Sequence, residues 1–167
     1  GAQRGVEARL LPSRGFRYHL LSAEPIYRRT WWRNVRWPFI AATLMRQVAR
    51  LFREEHPVAV LGTGGYASAP VVWWATQQGI PAAIQEQNAF PGLANRWLAR
   101  RVDEIYLGVP EALGFLRPGP STRVHQTGNP ITPPTPERAA AARAAFGLGQ
   151  GRRVLLVTGG SQGALAL

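Results

Sequence analysis

The sequence predicts an α/β fold built on a parallel sheet. Short apolar runs alternate along the chain with segments of helical periodicity, which is typical of doubly wound sheets. Glycine-rich turns follow predicted strands, and ligands of such sheets gather at the carboxyl ends of the strands. The 167 residues, 46% hydrophobic and 17% charged, can bury a sizeable core and are typical of a globular chain.

Helices and strands are predicted from periodicity, composition and turn residues. The predicted helices span residues 6–12, 31–55, 70–78, 93–101 and 137–146, and the predicted strands span 17–23, 58–61, 81–85, 104–107, 124–126 and 153–158. The long helix carries apolar residues at three- and four-residue spacing, which predicts one buried stripe. The stripe consists of Trp37, Ile40, Leu44, Val48 and Leu51.

The composition changes at residues 128–136, which contain four prolines and predict a linker. Two similar glycine turns, at residues 62–66 and 159–163, lie on either side of this linker and indicate two similar domains. We therefore expect residues 1–130 to form a partial N-terminal domain, 131–151 a linker and helix, and 152–167 the start of a second domain.

The charge of the chain is strongly positive. All 20 basic residues are arginine against nine acids, a formal net charge of +11, which favours nucleic acid, anionic lipid or phosphorylated substrates as partners. Cysteine is absent and the three histidines have no metal-binding spacing, so we expect neither a metal nor a cofactor. No apolar run approaches the roughly 20 residues that a membrane-spanning helix needs.

The turn at residues 62–66 places glycines between a strand and a helix, where backbone N–H groups can approach a phosphate. The turn at residues 159–163 repeats this arrangement and adds the hydroxyl of Ser161. Tight strand-to-helix turns also need glycine when no ligand binds. Residues 85–88, Gln-Glu-Gln-Asn, end a strand and suit either a polyhydroxylated or amide-bearing substrate or a solvated loop.

Arginine and tryptophan residues lie close together in a segment without acidic residues. Its candidate membrane-binding residues are Arg28, Arg29, Trp31, Trp32, Arg33 and Arg36. Arginine attracts anionic headgroups and tryptophan prefers the bilayer interface, so the segment can dock on a membrane surface. A solvated basic face with packed aromatics and a nucleic-acid surface with stacking aromatics remain alternatives.

Five motifs in order resemble the MurG family, the UDP-N-acetylglucosamine:undecaprenyl-pyrophosphoryl-muramoyl-pentapeptide N-acetylglucosaminyltransferases that convert lipid I into lipid II. They are residues 62–70, 79–81, 86–95, 128–130 and 159–164. The resemblance implies a GT-B fold, with two Rossmann-like domains facing a cleft, and an inverting, metal-independent transfer. It also implies a peripheral enzyme at the cytoplasmic face of the bacterial inner membrane, whose partners are UDP-N-acetylglucosamine, lipid I and anionic lipid, with no nucleic acid expected.

The same resemblance assigns site residues. The substrate-binding residues are expected to be Gly64, Gly65, Tyr66, Asn88, Asn95 and Ser161. The glycine turn would face the acceptor diphosphate, the two asparagines would contact or support the sugar site, and the serine would contact the UDP-sugar. Glu86 would lie in the cleft and is the expected catalytic residue. The arginine and tryptophan segment would match the family's membrane-docking patch.

The chain departs from the family pattern at Gln85, where the family has histidine, and at Thr132, where it has arginine. The first strand with its histidine-bearing loop and most of the UDP-binding domain are expected to be missing, so the chain alone is expected to be inactive. A basic nucleic-acid-binding module and another nucleotide-sugar GT-B enzyme are the alternative functions. The motifs at residues 86–88 and 159–163 speak against the second alternative.

Overall fold

Four parallel strands form the sheet in the computed structural model, which describes residues 1–3, 6–24, 35–133, 135–149 and 153–155. The strands are β1 (Val60–Gly62), β2 (Ala82–Glu86), β3 (Glu104–Leu107) and β4 (Arg123–Gln126), and they are neighbours in that order. All three pairings are parallel. The predicted α/β fold with a parallel sheet is therefore confirmed.

Helices connect the strands. The α-helices are α1 (Val6–Leu10), α2 (Trp37–Glu55), α3 (Ser68–Gln77), α4 (Leu93–Leu98) and α5 (Pro136–Ala145), and 3₁₀ helices span Leu11–Arg14 and Pro110–Phe115. α3 packs against β1 and β2, α4 packs against β2, and α2 packs on the outside of α3. Among the described residues, no helix has the length and apolar character needed to cross a membrane.

The core lies between the sheet and the helices. Gly62, Ile84, Ile105 and Val124 occupy one row across the four strands. A methyl group at Gly62 would lie only 2.5 Å from Val72 of α3, which places that helix on this face of the sheet. Glu86 is two residues beyond Ile84 and points to the same face, because side chains alternate along a strand. This position buries a carboxylate under the helices.

The predicted stripe on α2 is partly correct. Leu44 and Val48 are buried, but Trp37, Ile40 and Leu51 remain partly exposed, and Phe52 is buried in addition. The buried positions Leu44, Val48 and Phe52 are four residues apart, so they form a narrower stripe than the sequence predicts.

α2 has well-defined ends. It begins at Trp37, and residues 31–34 of the predicted helix lie outside the described residues. Pro38 fits its first turn because the first helical N–H groups need no intrahelical acceptor. At the other end His56 adopts a left-handed conformation with φ 45°, and its N–H bonds the carbonyl of Phe52.

The predicted strand over residues 17–23 is wrong. In this segment Leu21 forms an isolated parallel bridge with Ala2, and its backbone N–H and C=O bond Gly1 and Gln3. Among the described residues, this bridge is the extent of regular strand pairing in the segment. Residues 153–155 of the predicted last strand have no regular structure, and 156–158 lie outside the described residues.

The chain divides into two compact units, Gly1–Pro130 and Ile131–Leu167. The described part of the second unit is dominated by α5. Thr135 caps this helix by accepting a hydrogen bond from the backbone N–H of Arg138, and Pro136 occupies its first turn.

Candidate functional site

The glycine turn joins β1 to α3 at the carboxyl edge of the sheet. Gly64 and Gly65 have φ values of 92° and 78°, a region that disfavours side chains. None of the described residues lies within 4 Å of a methyl group placed at Gly65, so this part of the structure leaves the space in front of the turn open. No side chain caps α3 at Ala67, and its first turn contains no acid. Backbone N–H groups in such a position can bind an anion.

Glu86 lies at the end of the neighbouring strand and is only 2% exposed. Its Oε1 accepts hydrogen bonds from the backbone N–H and the side-chain Nδ2 of Asn88, both at 3.0 Å. Its Oε2 accepts from the backbone N–H of Gly92 at 3.2 Å and from Nδ2 of Asn95 at 2.9 Å. The carboxylate thus holds the loop after β2 and the start of α4 against the sheet. Hydrogen bonds to a charged acceptor are stronger than those between neutral groups.

Asn95 connects this carboxylate to the glycine turn. Its Nδ2 also donates to the carbonyl of Gln85 at 3.3 Å, and the residue is 2% exposed. A methyl group at Gly64 would lie 3.8 Å from the same Nδ2, so the turn rests against this amide. Asn88 is exposed at the same edge, while Tyr66 is 41% exposed beside the turn.

A second polar network ties the strand ends together. Gln85 Nε2 donates to Asn129 Oδ1 at 3.3 Å, and Asn129 Nδ2 donates to the carbonyl of Gln87 at 3.3 Å. Gln87 Nε2 donates to the carbonyl of Thr63 at 3.0 Å and lies very close to Gln85 Oε1. These hydrogen bonds join the ends of β1 and β2 to the segment that follows β4, beside the turn.

Asn129 is a site residue that the sequence analysis did not assign. It packs so closely on Gly108 that a methyl group there would lie 2.0 Å from Asn129 Oδ1. The Gly-Asn-Pro motif at residues 128–130 was the available signal, since it follows the last strand of the sheet. A motif alone gives no partner, because Gln85 and Gln87 are more than 40 residues away in sequence.

The structure brings together the predicted site residues of the first unit. They are Gly64, Gly65, Tyr66, Glu86, Asn88 and Asn95. Glu86, expected to be catalytic, is buried with both oxygens engaged by neighbouring donors, an arrangement suited to holding the loop in place. Ser161 and the second glycine turn lie outside the described residues.

The predicted membrane-binding residues are represented in the structure by Arg36, which is exposed just before α2. The remaining five fall outside the described residues. They are Arg28, Arg29, Trp31, Trp32 and Arg33. The part of the chain that the structure covers contains no group of three or more His, Cys, Asp or Glu side chains that could hold a metal ion.

A cluster of titratable groups lies on β3 and β4, apart from the glycine turn. The hydroxyl of Tyr106 donates to Glu104, and Arg123 donates to the same carboxylate at 2.5 Å. These bonds, the tyrosine hydroxyl first, lower the pKa of Glu104, and the carboxylate in turn raises the pKa of Tyr106. The ring of His125 stacks on Tyr106 with centroids 5.1 Å apart, so the cluster cross-links two strands.

The relatives found by comparison with known proteins share one name. The N-acetylglucosamine transferase of Carboxydothermus hydrogenoformans that acts on N-acetylmuramyl-(pentapeptide) pyrophosphoryl-undecaprenol is 38% identical over 170 residues, covering 100% of this chain and 45% of the relative. The same enzyme of Salinibacter ruber is 40% identical over 168 residues, with the same coverage. The chain therefore spans less than half the length of these relatives.

A solved structure and a family model agree with these relatives. The crystal structure of Acinetobacter baumannii MurG matches with a TM-score of 0.60 and 28% identity, covering 79% of this chain and 36% of that chain. The resemblance to the MurG family is thus confirmed. The family model for the glycosyltransferase family 28 N-terminal domain matches residues 1–107. The parallel sheet, the glycine turn at its carboxyl edge and these matches together show that the chain belongs to glycosyltransferase family 28.

Proposed function

We propose that this chain is the acceptor-binding part of an enzyme that transfers N-acetylglucosamine from UDP-N-acetylglucosamine to lipid I and forms lipid II. The observation that carries the proposal is the contact between the open glycine turn and the buried Glu86–Asn95 pair at one edge of the sheet. This arrangement offers anion-binding N–H groups beside fixed amide side chains, which suits a sugar linked to a diphosphate. The names of the relatives describe such an acceptor.

Each predicted site residue receives a role in this proposal. The backbone of Gly64 and Gly65 binds the diphosphate, and the hydroxyl of Tyr66 adds a hydrogen-bond donor. Asn88, exposed at the edge, contacts a sugar, and Asn95 supports the turn. Glu86 is a positioning residue that holds both asparagines through its carboxylate oxygens.

The donor side of the reaction depends on residues outside the described part. Ser161, in the second glycine turn, contacts the UDP-sugar by resemblance to the family. The reaction inverts the anomeric configuration and needs no metal ion, again by resemblance. The configuration of the product by NMR and the rate in the presence of a chelator test these two points.

The enzyme docks as a peripheral protein on the cytoplasmic face of the bacterial inner membrane. The acid-free segment supports this proposal, and Arg36 places its last arginine on the exposed surface before α2. Each basic residue near an anionic surface adds about 1 kcal/mol. Alanine at both Trp31 and Trp32 should weaken co-sedimentation with anionic vesicles, and salt should weaken it further. Equal co-sedimentation of wild type and variant with anionic vesicles, unchanged by salt, would contradict membrane docking by this segment.

A chimera tests the transferase proposal, with this chain replacing the aligned 170-residue segment of the Carboxydothermus hydrogenoformans relative. The variant Gly65→Val should impair turnover of a soluble lipid I analogue far more than UDP binding, because a Cβ at this positive φ displaces the N–H groups. Tyr66→Phe should cost about 1.5–3 kcal/mol of transition-state stabilisation, the value of one hydrogen bond to a charged group.

The matched control is Gly79→Val, at the other end of α3. Gly79 has a φ of 67°, and open space surrounds its Cβ position, as at Gly65. The control should therefore suffer the same backbone strain while its kinetics with the acceptor remain normal. A folded Gly65→Val chimera with normal acceptor kinetics would contradict diphosphate binding at the turn, and equal losses in both variants would make the turn merely structural.

A further inference from the structure

An apolar groove with a volume of about 560 Å³ lies between α2, α3 and α4. Its apolar wall includes Ile40, Ala41, Met45, Ala69, Leu93 and Trp97. At its mouth Leu93 is 56% exposed and Trp97 is 46% exposed, so apolar side chains face solvent there. Glu24 contributes one charged side chain to the described wall. The volume falls in the range of about 300–1,000 Å³ that is usual for small-molecule sites.

The groove begins at the glycine turn. Gly65 and Tyr66 form part of its wall, and these are the residues proposed to bind the acceptor diphosphate. The relatives are named for a pyrophosphoryl-undecaprenol acceptor, in which the diphosphate is bonded directly to a polyprenyl chain. If the diphosphate is bound at this turn, the first isoprene units of the attached polyprenyl chain therefore lie next to the apolar wall of the groove.

We propose that this groove, here called the polyprenyl groove, binds the first isoprene units of a polyprenyl diphosphate. This inference rests on the proposed function of the turn and adds a separate site for the hydrocarbon part of the acceptor. Burial of isoprene units against the apolar wall removes hydrocarbon from water, which is the main favourable contribution of such a site. The groove accommodates only the start of an undecaprenyl chain, and the remainder stays in the bilayer.

The surface beside the groove fits a lipid headgroup layer. A second cavity of about 720 Å³ shares Leu93 and Trp97 with the groove, and the described residues that line it include no acid. Its arginines are Arg96, Arg100, Arg101 and Arg117. The guanidinium of Arg101 lies 4.3 Å from the ring centroid of Trp97. Arginines around aromatic and aliphatic side chains attract anionic lipids, so a polyprenyl chain can enter the groove from the membrane surface.

Calorimetric titration of the 167-residue chain tests the groove with two probes, farnesyl diphosphate and inorganic diphosphate. Farnesyl diphosphate should bind at least about tenfold more tightly than inorganic diphosphate, because buried methylenes add affinity. Ala41→Phe fills the groove and should abolish this difference without weakening inorganic diphosphate. Ala42→Phe makes the same change on the exposed side of α2 and should keep the difference.

The outcomes separate the groove from the glycine turn. Equal affinity of the wild type for farnesyl diphosphate and inorganic diphosphate would refute isoprene binding in the groove. It would not affect the proposal that the glycine turn binds a diphosphate. If neither diphosphate binds, the proposal that the glycine turn binds a diphosphate is refuted, and the polyprenyl groove is refuted with it. Preserved preference in Ala41→Phe would also overturn the groove. If circular dichroism shows that Ala41→Phe is unfolded, Leu93→Gln at the exposed mouth replaces it, with selective weakening of farnesyl diphosphate expected.

Discussion

Replacing Glu86 with glutamine preserves the size of the side chain and exchanges one acceptor oxygen for an NH₂ donor. Each carboxylate oxygen accepts two hydrogen bonds. Oε1 accepts both of its bonds from Asn88, and Oε2 accepts one from Gly92 and one from Asn95. Whichever way the new amide is oriented, its NH₂ group faces two donors. Two of these four hydrogen bonds are therefore lost in either orientation.

The expected destabilisation follows from these two bonds. A hydrogen bond to a charged group contributes about 1.5–3 kcal/mol, and the site is too buried for water to replace it without rearrangement. Glu86→Gln should thus lower the free energy of unfolding by at least about 3 kcal/mol, a large part of the roughly 5–15 kcal/mol of a typical domain. At an m-value of about 1–3 kcal/mol/M, the urea midpoint falls by about 1–3 M.

Urea denaturation followed by far-ultraviolet circular dichroism measures this loss in the 167-residue chain. The control is Glu111→Gln, which alters an exposed carboxylate of the same unit and should change stability by less than about 0.5 kcal/mol. If Glu86→Gln is as stable as this control while the corresponding chimera loses its transferase activity, Glu86 acts in the chemistry and the positioning role is refuted.

Two further predictions concern packing and charge. Gly108→Ala places a methyl group 2.0 Å from Asn129 Oδ1 and should cost about 1–3 kcal/mol of stability, whereas Gly114→Ala, which enters open space, should be nearly neutral in the same denaturation assay. Glu104→Gln removes a carboxylate whose pKa is lowered first by the Tyr106 hydroxyl. Wild type should exceed this variant in stability at neutral pH, and the difference should close as pH falls through the lowered pKa. A stability difference between wild type and Glu104→Gln that does not change with pH would contradict this contribution of the carboxylate.

The regular parts of the fold are predictable because their signals are local. The strand at residues 104–107 has the predicted bounds, since an apolar run between charged and turn residues defines it. The glycine turn was predicted for the same reason, because Gly64 and Gly65 are adjacent and follow a strand. By contrast, residues 17–23 have the composition of a strand but only residues 1–3 as a described neighbour for pairing, and pairing is a tertiary property.

The chemistry of the candidate site was less predictable because it depends on contacts distant in sequence. Residues 85–88 were recognised as a polar group at a strand end, yet the burial of Glu86 follows from the face on which helices pack. Its partners Gly92 and Asn95 are reached only through the path of the following loop. The role of Asn129 needs the close approach that Gly108 permits, which no spacing in the sequence reveals.

The assignment of this chain as the acceptor-binding part is tested most directly by calorimetric titration of the 167 residues with a soluble lipid I analogue and, in parallel, with UDP-N-acetylglucosamine. We predict saturable binding of the analogue, with inorganic diphosphate as a competitor, because the proposed function assigns the diphosphate to the glycine turn. We predict no measurable binding of UDP-N-acetylglucosamine at this site, because the proposed function assigns the described residues to the acceptor. Micromolar binding of UDP-N-acetylglucosamine together with no binding of the analogue would contradict the assignment.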